Sequence, residues 1–183
     1  MYKVVLPKTE DELKKYYQFR YKIMCEELGH IKKNKNNFDI DEYDRYSLHL
    51  MAIDKNNQIV ATMRVIYNSP QNYPTLKHIK LRTSDNISKK SSCEISRVFI
   101  DKNIRSIQNS KEIIYKLVSE VYNFSNKHDI NFFYAALEEN FLRFLKIIKI
   151  EFTIIGKQVE FYGLRFPCII SANKLFKYNP YIN

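Results

Sequence analysis

Glycine is nearly absent from this sequence: 183 residues contain three, Gly29, Gly156 and Gly163. A phosphate-cradling loop or a dinucleotide fingerprint needs several glycines close together, because the backbone must approach the phosphates closely. Kinases, P-loop NTPases and Rossmann enzymes are thereby excluded. Tryptophan is missing altogether. Cys25, Cys93 and Cys168 are odd in number and far apart, which fits neither a disulfide framework nor zinc spacing. His30, His49, His78 and His128 show no ligand spacing either, so no metal is expected. Long apolar runs are lacking too. The most apolar stretch, 141–150, is interrupted by Arg143, Lys146 and Lys149, and Val4-Val5-Leu6 is too short for a signal-peptide core. The expectation is a cytoplasmic protein without a transmembrane segment.

What is present is enough for a packed core: 45% hydrophobic residues, with 12 Phe and 14 Tyr. The length fits one domain over residues 1–183. The net charge of +10 is uneven. Residues 1–60 hold 11 Lys/Arg against 10 Asp/Glu, a net of +1, whereas residues 61–183 carry +9. Such an excess suits an acidic partner, although a compositional bias toward lysine gives the same count. Nucleic acid is disfavoured as that partner. The lysines are scattered, and no helix-turn-helix, zinc finger or RNP-like signature occurs.

Periodicity and capping signals sketch the elements. Tyr2–Leu6 reads as a short strand, and Thr9 with Glu12 forms a capping box opening helices that stop at Gly29. Ser47–Asp54 and Gln58–Tyr67 are β-rich runs joined at Lys55-Asn56-Asn57, a hairpin signal. Asn68–Pro74 and the polar stretch Thr83–Ser92 read as loops. Glu94–Ile100 is mostly apolar and is expected as a central strand. Asn109 and Glu112 predict a cap for a helix to Lys127, with the stripe Ile113, Ile114, Leu117, Val118, Val121 and Phe124. A strand over Asn131–Leu137, a helix over Glu138–Ile148 and strands over Phe152–Ile155 and Gln158–Ile170 complete the order. The class is α/β with a mixed sheet.

The informative signal is charge inside segments that ought to be buried. Arg64 lies in Ile59–Ile66, Glu94 and Arg97 lie in Cys93–Ile100, and Arg20 sits between Phe19 and Ile23. An unpaired charge there costs several kcal/mol, so these groups must pair, reach a cleft, or both. Asp39, Asp41 and Asp44 cluster just before the second strand. Arg20, Arg64 and Arg97 against Asp41, Asp44 and Glu94 form a self-neutralising set around one pocket. Plain ion pairs pinning helices to the sheet are the alternative. Glu94 and Arg97 are three apart and in a regular strand face opposite sides. Either they serve different sites or a bulge re-aims one of them.

Taken together, Arg20-Tyr-Lys-Ile-Met24-Cys-Glu26-Glu27-Leu28-Gly29, Asp41-x-x-Asp44 with Ser47 and His49, Val60–Arg64, Glu94–Ile100, Arg105 and Ile155–Pro167 resemble the autoinducer-synthase branch of the GNAT acyltransferase superfamily. Two branches compete. Acyl-homoserine-lactone synthases carry Phe and Trp four and ten residues after the first arginine, where this chain has Met24 and His30. The Glu-Glu-Leu-Gly block and the Gly163–Pro167 ending look more like long-chain N-acyl amino acid synthases.

The resemblance implies a GNAT fold, a mostly antiparallel central sheet flanked by helices, and aminolysis of a thioester. The donor is an acidic acyl carrier protein or acyl-coenzyme A, the acceptor is a small amine, and no cofactor is tightly bound. Peripheral membrane contact would come only through the lipid product. By the same likeness Glu94 accepts the amine proton, with Arg97 and Asp41 beside it in catalysis. Arg20, Asp44, Arg64 and His49 hold substrate. Val98, Phe99, Ile100 and Arg105 hold the acyl donor, the first three through backbone N–H groups freed where the central strand splays. Phe132, Phe133, Leu137, Phe141, Phe144 and Leu145 are candidates for an acyl tunnel. The segment Asn103–Ser110, which binds pyrophosphate in acetyl-CoA-using relatives, has no glycine here and so favours a carrier-protein donor. An acyl-homoserine-lactone synthase, an acetyl-CoA-dependent acetyltransferase and a non-enzymatic basic binding module are the other readings.

Overall fold

The computed structural model describes residues 1–78 and 91–182. Of the polar stretch expected over Thr83–Ser92, all but the last two residues lie outside the described part.

The capping box forms as its residue types require. Thr9 Oγ1 accepts from Glu12 N, and the Glu12 carboxylate accepts from Thr9 N. Helix α1 (Glu10–Tyr21) follows and runs directly into a π-helical turn, Lys22–Glu27. The chain leaves it at Gly29, whose φ of 65° is the left-handed conformation that glycine adopts without a steric cost. Strands β1 (Lys3–Val5), β2 (Ser47–Ile53) and β3 (Ile59–Ile66) make an antiparallel meander, with the expected hairpin between the last two.

Strand β4 (Ser92–Ile100) pairs antiparallel with β3 and parallel with β5 (Phe132–Leu137). Strand β8 (Leu164–Ser171) continues the sheet and takes β6 (Thr153–Ile154) and β7 (Val159–Glu160) on its far side. The order is β1-β2-β3-β4-β5-β8-β6, eight strands counting β7, and every pairing but one is antiparallel. This is the mixed, mostly antiparallel sheet flanked by helices that the sequence led one to expect.

Helix α3 (Ile107–His128) covers one face, burying Ile113, Ile114, Leu117, Val118 and Val121 as its stripe predicts. These side chains meet Leu50, Ala61, Met63, Val65, Cys93 and Ile95 in the main core. The opposite face takes α1, where Tyr16, Tyr17 and Met51 form a smaller cluster. Helix α4 (Glu139–Ile147) and the short α5 (Ala172–Phe176) complete the layers. Among the described residues no helix is long and apolar enough to cross a membrane.

Three expectations need correction. The cap of α3 is Ser106, whose hydroxyl accepts from Asn109 N, so the helix opens before the Asn109 and Glu112 signal. The strand expected over Gln158–Ile170 is broken at Phe161–Gly163, where Tyr162 and Gly163 both have positive φ and the chain turns. The loop after Asn68 contains a short helix, α2 (Pro74–His78), opened by proline, whose missing N–H costs nothing in a first turn.

Candidate active site

The charged residues of the strands meet on the face that carries α1. Arg20 comes from the last turn of α1, Arg64 from β3 and Arg97 from β4, and the loop before β2 brings Asp39, Asp41 and Asp44. Together they close a ring of alternating charge. Arg20 Nε lies 2.8 Å from Asp39, which lies 2.8 Å from Arg97 Nε. Arg97 Nη2 is 3.3 Å from Asp41, Asp41 is 2.7 Å from Arg64 Nη1, and the same nitrogen is 3.1 Å from Asp44. Asp44 returns to Arg20 at 2.5 Å. Each arginine thus bridges two carboxylates, and each carboxylate bridges two arginines.

Burial makes this closure necessary, since Arg20 and Arg64 have no exposed surface and Asp44 is 4% exposed. Burial alone would push the Asp44 carboxyl up, but Arg20 and Arg64 outweigh it and hold the group far below the usual carboxylate range. For Asp39, Arg97 and Arg20 likewise overcome burial and lower the pKa. The loop is pinned from within as well. Asp41 N donates to Asp44 Oδ2, and Tyr43 N donates to Asp41 Oδ1. The neutral set expected from sequence therefore exists with a different third acid. Asp39 takes the place assigned to Glu94.

Glu94 and Arg97 nonetheless share one face. Strand β3 passes from Thr62 to Arg64 while β4 passes from Phe99 to Ser96, so β4 carries one extra residue at this point. Arg97 sits in that bulge with φ of 51°. The bulge resets the alternation. Cys93 and Ile95 before it, and Val98 and Ile100 after it, pack on the α3 side, leaving Glu94, Ser96 and Arg97 on the other.

A cavity of about 180 Å³ opens on that face, lined by Met24, Asp41, Arg64, Glu94, Arg97 and Tyr162 among others. Glu94 is 1% exposed and stands outside the ion-pair ring. Its Oε2 accepts from Thr75 N of α2 at 2.9 Å. Burial pushes its pKa up to about 7, against the pull of the Thr75 N–H hydrogen bond and of Arg64 and Arg97. A carboxyl poised there can take and return a proton at neutral pH. Tyr162, at the turn after β7, lays its ring 5.2 Å from the Arg97 guanidinium.

A second, more apolar cleft of about 380 Å³ adjoins the first. It exists because β4 and β5 part. Their pairing covers Ser92, Cys93 and Glu94 opposite Phe132, Phe133 and Tyr134 and stops there, while β4 continues to Ile100. Val98, Phe99, Ile100 and Arg105 line the gap with Phe141 and Phe144 of α4. Arg105 is tied back by Nε and Nη2 to the Ile100 carbonyl and by Nη2 to Glu27 at 2.8 Å, and it is 45% exposed. Val98, Phe99, Phe141 and Arg165 border both cavities, so the two spaces meet at the splay.

The remaining candidates fall elsewhere. His49 lines neither cavity. It packs against Tyr16 and Tyr17 with Nε2 on the Asp44 carbonyl, and burial lowers its pKa to about 4, which keeps the ring neutral. Arg20 is sealed behind the acids and lines neither of the two cavities. Of the tunnel candidates, Leu137, Phe141, Phe144 and Leu145 border cavities, whereas Phe133 is core against Phe176 and Phe132 borders none. Cys93 and Cys168 are buried, which raises both thiol pKa values and keeps them protonated. Thr75 escaped the sequence reading, and Arg165 and Tyr162 lay within its block 155–167 without being given a role. Arg165 carried a usable signal, a charge between Leu164 and Phe166 in an otherwise apolar strand.

A family model described as an acetyltransferase (GNAT) domain matches residues 19–114. Among solved structures, the AHL synthase LasI superposes with a TM-score of 0.77 at 12% identity, covering 97% of this chain and 96% of that one. TofI, solved in a ternary complex with an inhibitor and MTA, gives 0.74 at 13% identity over 98% of each chain. BjaI, a CoA-dependent acyl-homoserine lactone synthase solved with SAM and isopentyl-CoA, gives 0.68 at 18% identity, with 96% of this chain and 85% of that one covered. At such identities the likeness is one of fold.

Proposed function

Because this chain belongs to the GNAT acetyltransferase-domain family, we propose that it is an N-acyltransferase moving a fatty acyl group from an acyl carrier protein or acyl-coenzyme A thioester to the amine of an amino acid or related small molecule. The observation that carries this reading is the meeting of the two cavities. The strand that supplies the buried Glu94 parts from its neighbour just beyond it, and the apolar cleft opens at that point.

In the proposed reaction the acceptor nitrogen attacks the thioester carbonyl, a C–N bond forms and the C–S bond breaks. Glu94 takes the proton from the amine and returns it to the departing thiol, so its charge is restored each cycle. Backbone N–H groups of Val98 and Ile100 hold the donor arm, whereas that of Phe99, opposite Thr62, belongs to the β3 ladder and only its side chain borders the cleft. The dipoles of the two free groups favour the developing oxyanion, an effect worth roughly 3 kcal/mol per donor. Arg105 meets the donor at the outer end of the cleft. Asp41, Arg64 and Arg97 form the acceptor wall. Arg20, Asp44 and His49 act behind it as positioning residues, since none of them lines either of the two cavities.

A second reading, acyl-homoserine-lactone synthesis, is favoured by the similarity of fold to LasI, TofI and BjaI. Against it stand Met24 and His30 where those synthases carry aromatics, and Met24 lines the acceptor cavity itself. One experiment separates the readings. The protein is incubated with long-chain acyl carrier protein, acyl-coenzyme A or acetyl-coenzyme A, together with mixed amino acids and S-adenosylmethionine, and products are identified by mass spectrometry. N-acyl amino acids support the first reading. Acyl-homoserine lactone, or acetylation alone, replaces it.

A further inference from the structure

Arg165 has no role in the scheme above, yet it borders both cavities where they meet. Its Nε donates to the Tyr162 carbonyl at 2.9 Å, Nη1 to the Ala136 carbonyl at 3.3 Å and Nη2 to Glu138 at 2.8 Å. These contacts occupy three of the five guanidinium N–H groups. The charge balance also sets this arginine apart. Arg20, Arg64 and Arg97 each contact two carboxylates, all held in the buried ring. Arg165 contacts one, on a Glu138 side chain that is 44% exposed. Solvent weakens such a pair, so positive charge and spare donors remain at the junction of the two spaces.

The rest of the cavity is balanced. Asp41 is spent on Arg64 and Arg97, and Glu42 reaches outward to Lys77 at 3.6 Å. An acceptor whose amine faces Glu94 therefore finds at the junction a cation paired only with one exposed carboxylate, with N–H groups to spare on Nη1 and Nη2, and an α-amino acid carries its carboxylate one carbon from that amine. A planar guanidinium fork with free N–H groups matches a carboxylate. The turn that holds Tyr162 against Arg97 also presents its carbonyl to Arg165, which fixes the two arginines relative to each other.

We propose that Arg165 anchors the carboxylate of the acceptor, which makes the acceptor an α-amino acid and not a simple amine or amino amide. The proposal rests on the N-acyltransferase reading and is tested so that the two can fail separately. Calorimetric titration of the protein with the common L-amino acids and their amides reads the anchor without turnover. Acylation assays with the same compounds read it in kcat and KM.

Wild-type protein is expected to prefer an acid over its amide, and Arg165→Gln to reduce that preference roughly ten- to a hundredfold, the range of one charge-assisted hydrogen-bonded contact. The loss should appear in KM for the acid, with kcat for the amide unchanged and Arg165→Lys partly restoring the preference. Glu138→Gln, which removes the exposed partner, should leave the preference intact or raise it. An unchanged preference in Arg165→Gln overturns the proposal, as does an equal fall in kcat for acid and amide. So does a Glu138→Gln variant that mimics Arg165→Gln, because the ion pair would then be structural. Product formation without acid preference removes the anchor alone, whereas acid preference without product from any thioester removes the transferase reading alone.

Discussion

A carboxyl buried as deeply as that of Glu94 ties stability to pH and, in the proposed reaction, turnover as well. Its pKa lies near 7 in the folded chain and near 4.5 when unfolded. Between those values the unfolded chain releases the proton and the folded one keeps it. Stability therefore declines as pH rises from about 4.5 to 7, by roughly 3 kcal/mol, and is flat above. Glu94→Gln should abolish this contribution. Urea unfolding is expected to show the variant more stable than wild type at pH 8 and nearly equal to it at pH 4.5. Its turnover should fall by roughly a hundredfold or more, and the wild-type rise in activity through neutral pH should vanish with it. Glu94 was legible in the sequence because a charge in an apolar run is conspicuous. Thr75, which donates to it, was not, because nothing in the turn-rich segment before residue 79 points toward a distant strand. Asp39 was seen in the acid cluster, but its pairing with Arg20 and Arg97 depends on how a long loop closes.

At the scale of elements, the six-membered ion-pair ring decides how α1, the acid loop, β3 and β4 are held together. Removing one charge from a closed buried ring strands two partners. Asp44→Asn leaves Arg20 and Arg64 undercompensated, and chemical denaturation should show a loss of roughly 3–5 kcal/mol. Glu27→Gln breaks the more exposed pair with Arg105 and should cost less than about 1 kcal/mol. The acids of the ring also set the acid limit of the fold. Folded pKa values of Asp39 and Asp44 are lowered, so their contribution is fully present above about pH 4 and is lost as pH falls below that value. Acid unfolding followed by circular dichroism should move to higher pH in Asp39→Asn. Helices α1 and α4, the hairpin and the stripe on α3 were readable from periodicity and caps, whereas the short α2 and α5 were not. The bulge at Arg97 was readable only as one of two options, because sequence spacing shows the conflict of facing and not its resolution.

For the molecule as a whole, the splay of β4 from β5 and the charge asymmetry bear on the donor. If an acidic carrier protein docks on the basic part of the chain, KM for acyl carrier protein should rise severalfold between about 50 and about 300 mM NaCl. KM for the acyl-pantetheine fragment should stay flat over the same range. Steady-state kinetics with both donors checks this, and equal salt dependence would assign the +9 of residues 61–183 to solvated lysines.

Residue types alone determined the α/β class, most element positions and the need for buried charges to find partners, because hydrophobic periodicity, caps and the cost of an unpaired charge act locally. They also excluded glycine-built phosphate loops. Tertiary structure alone decided which acid completes the ring, which face Arg97 takes, that β5 leaves β4 just past Glu94, and that Arg165 stands where the two cavities join. Those facts depend on loop closure, on one extra residue in a strand and on the parting of two strands, and no local pattern in the chain encodes them.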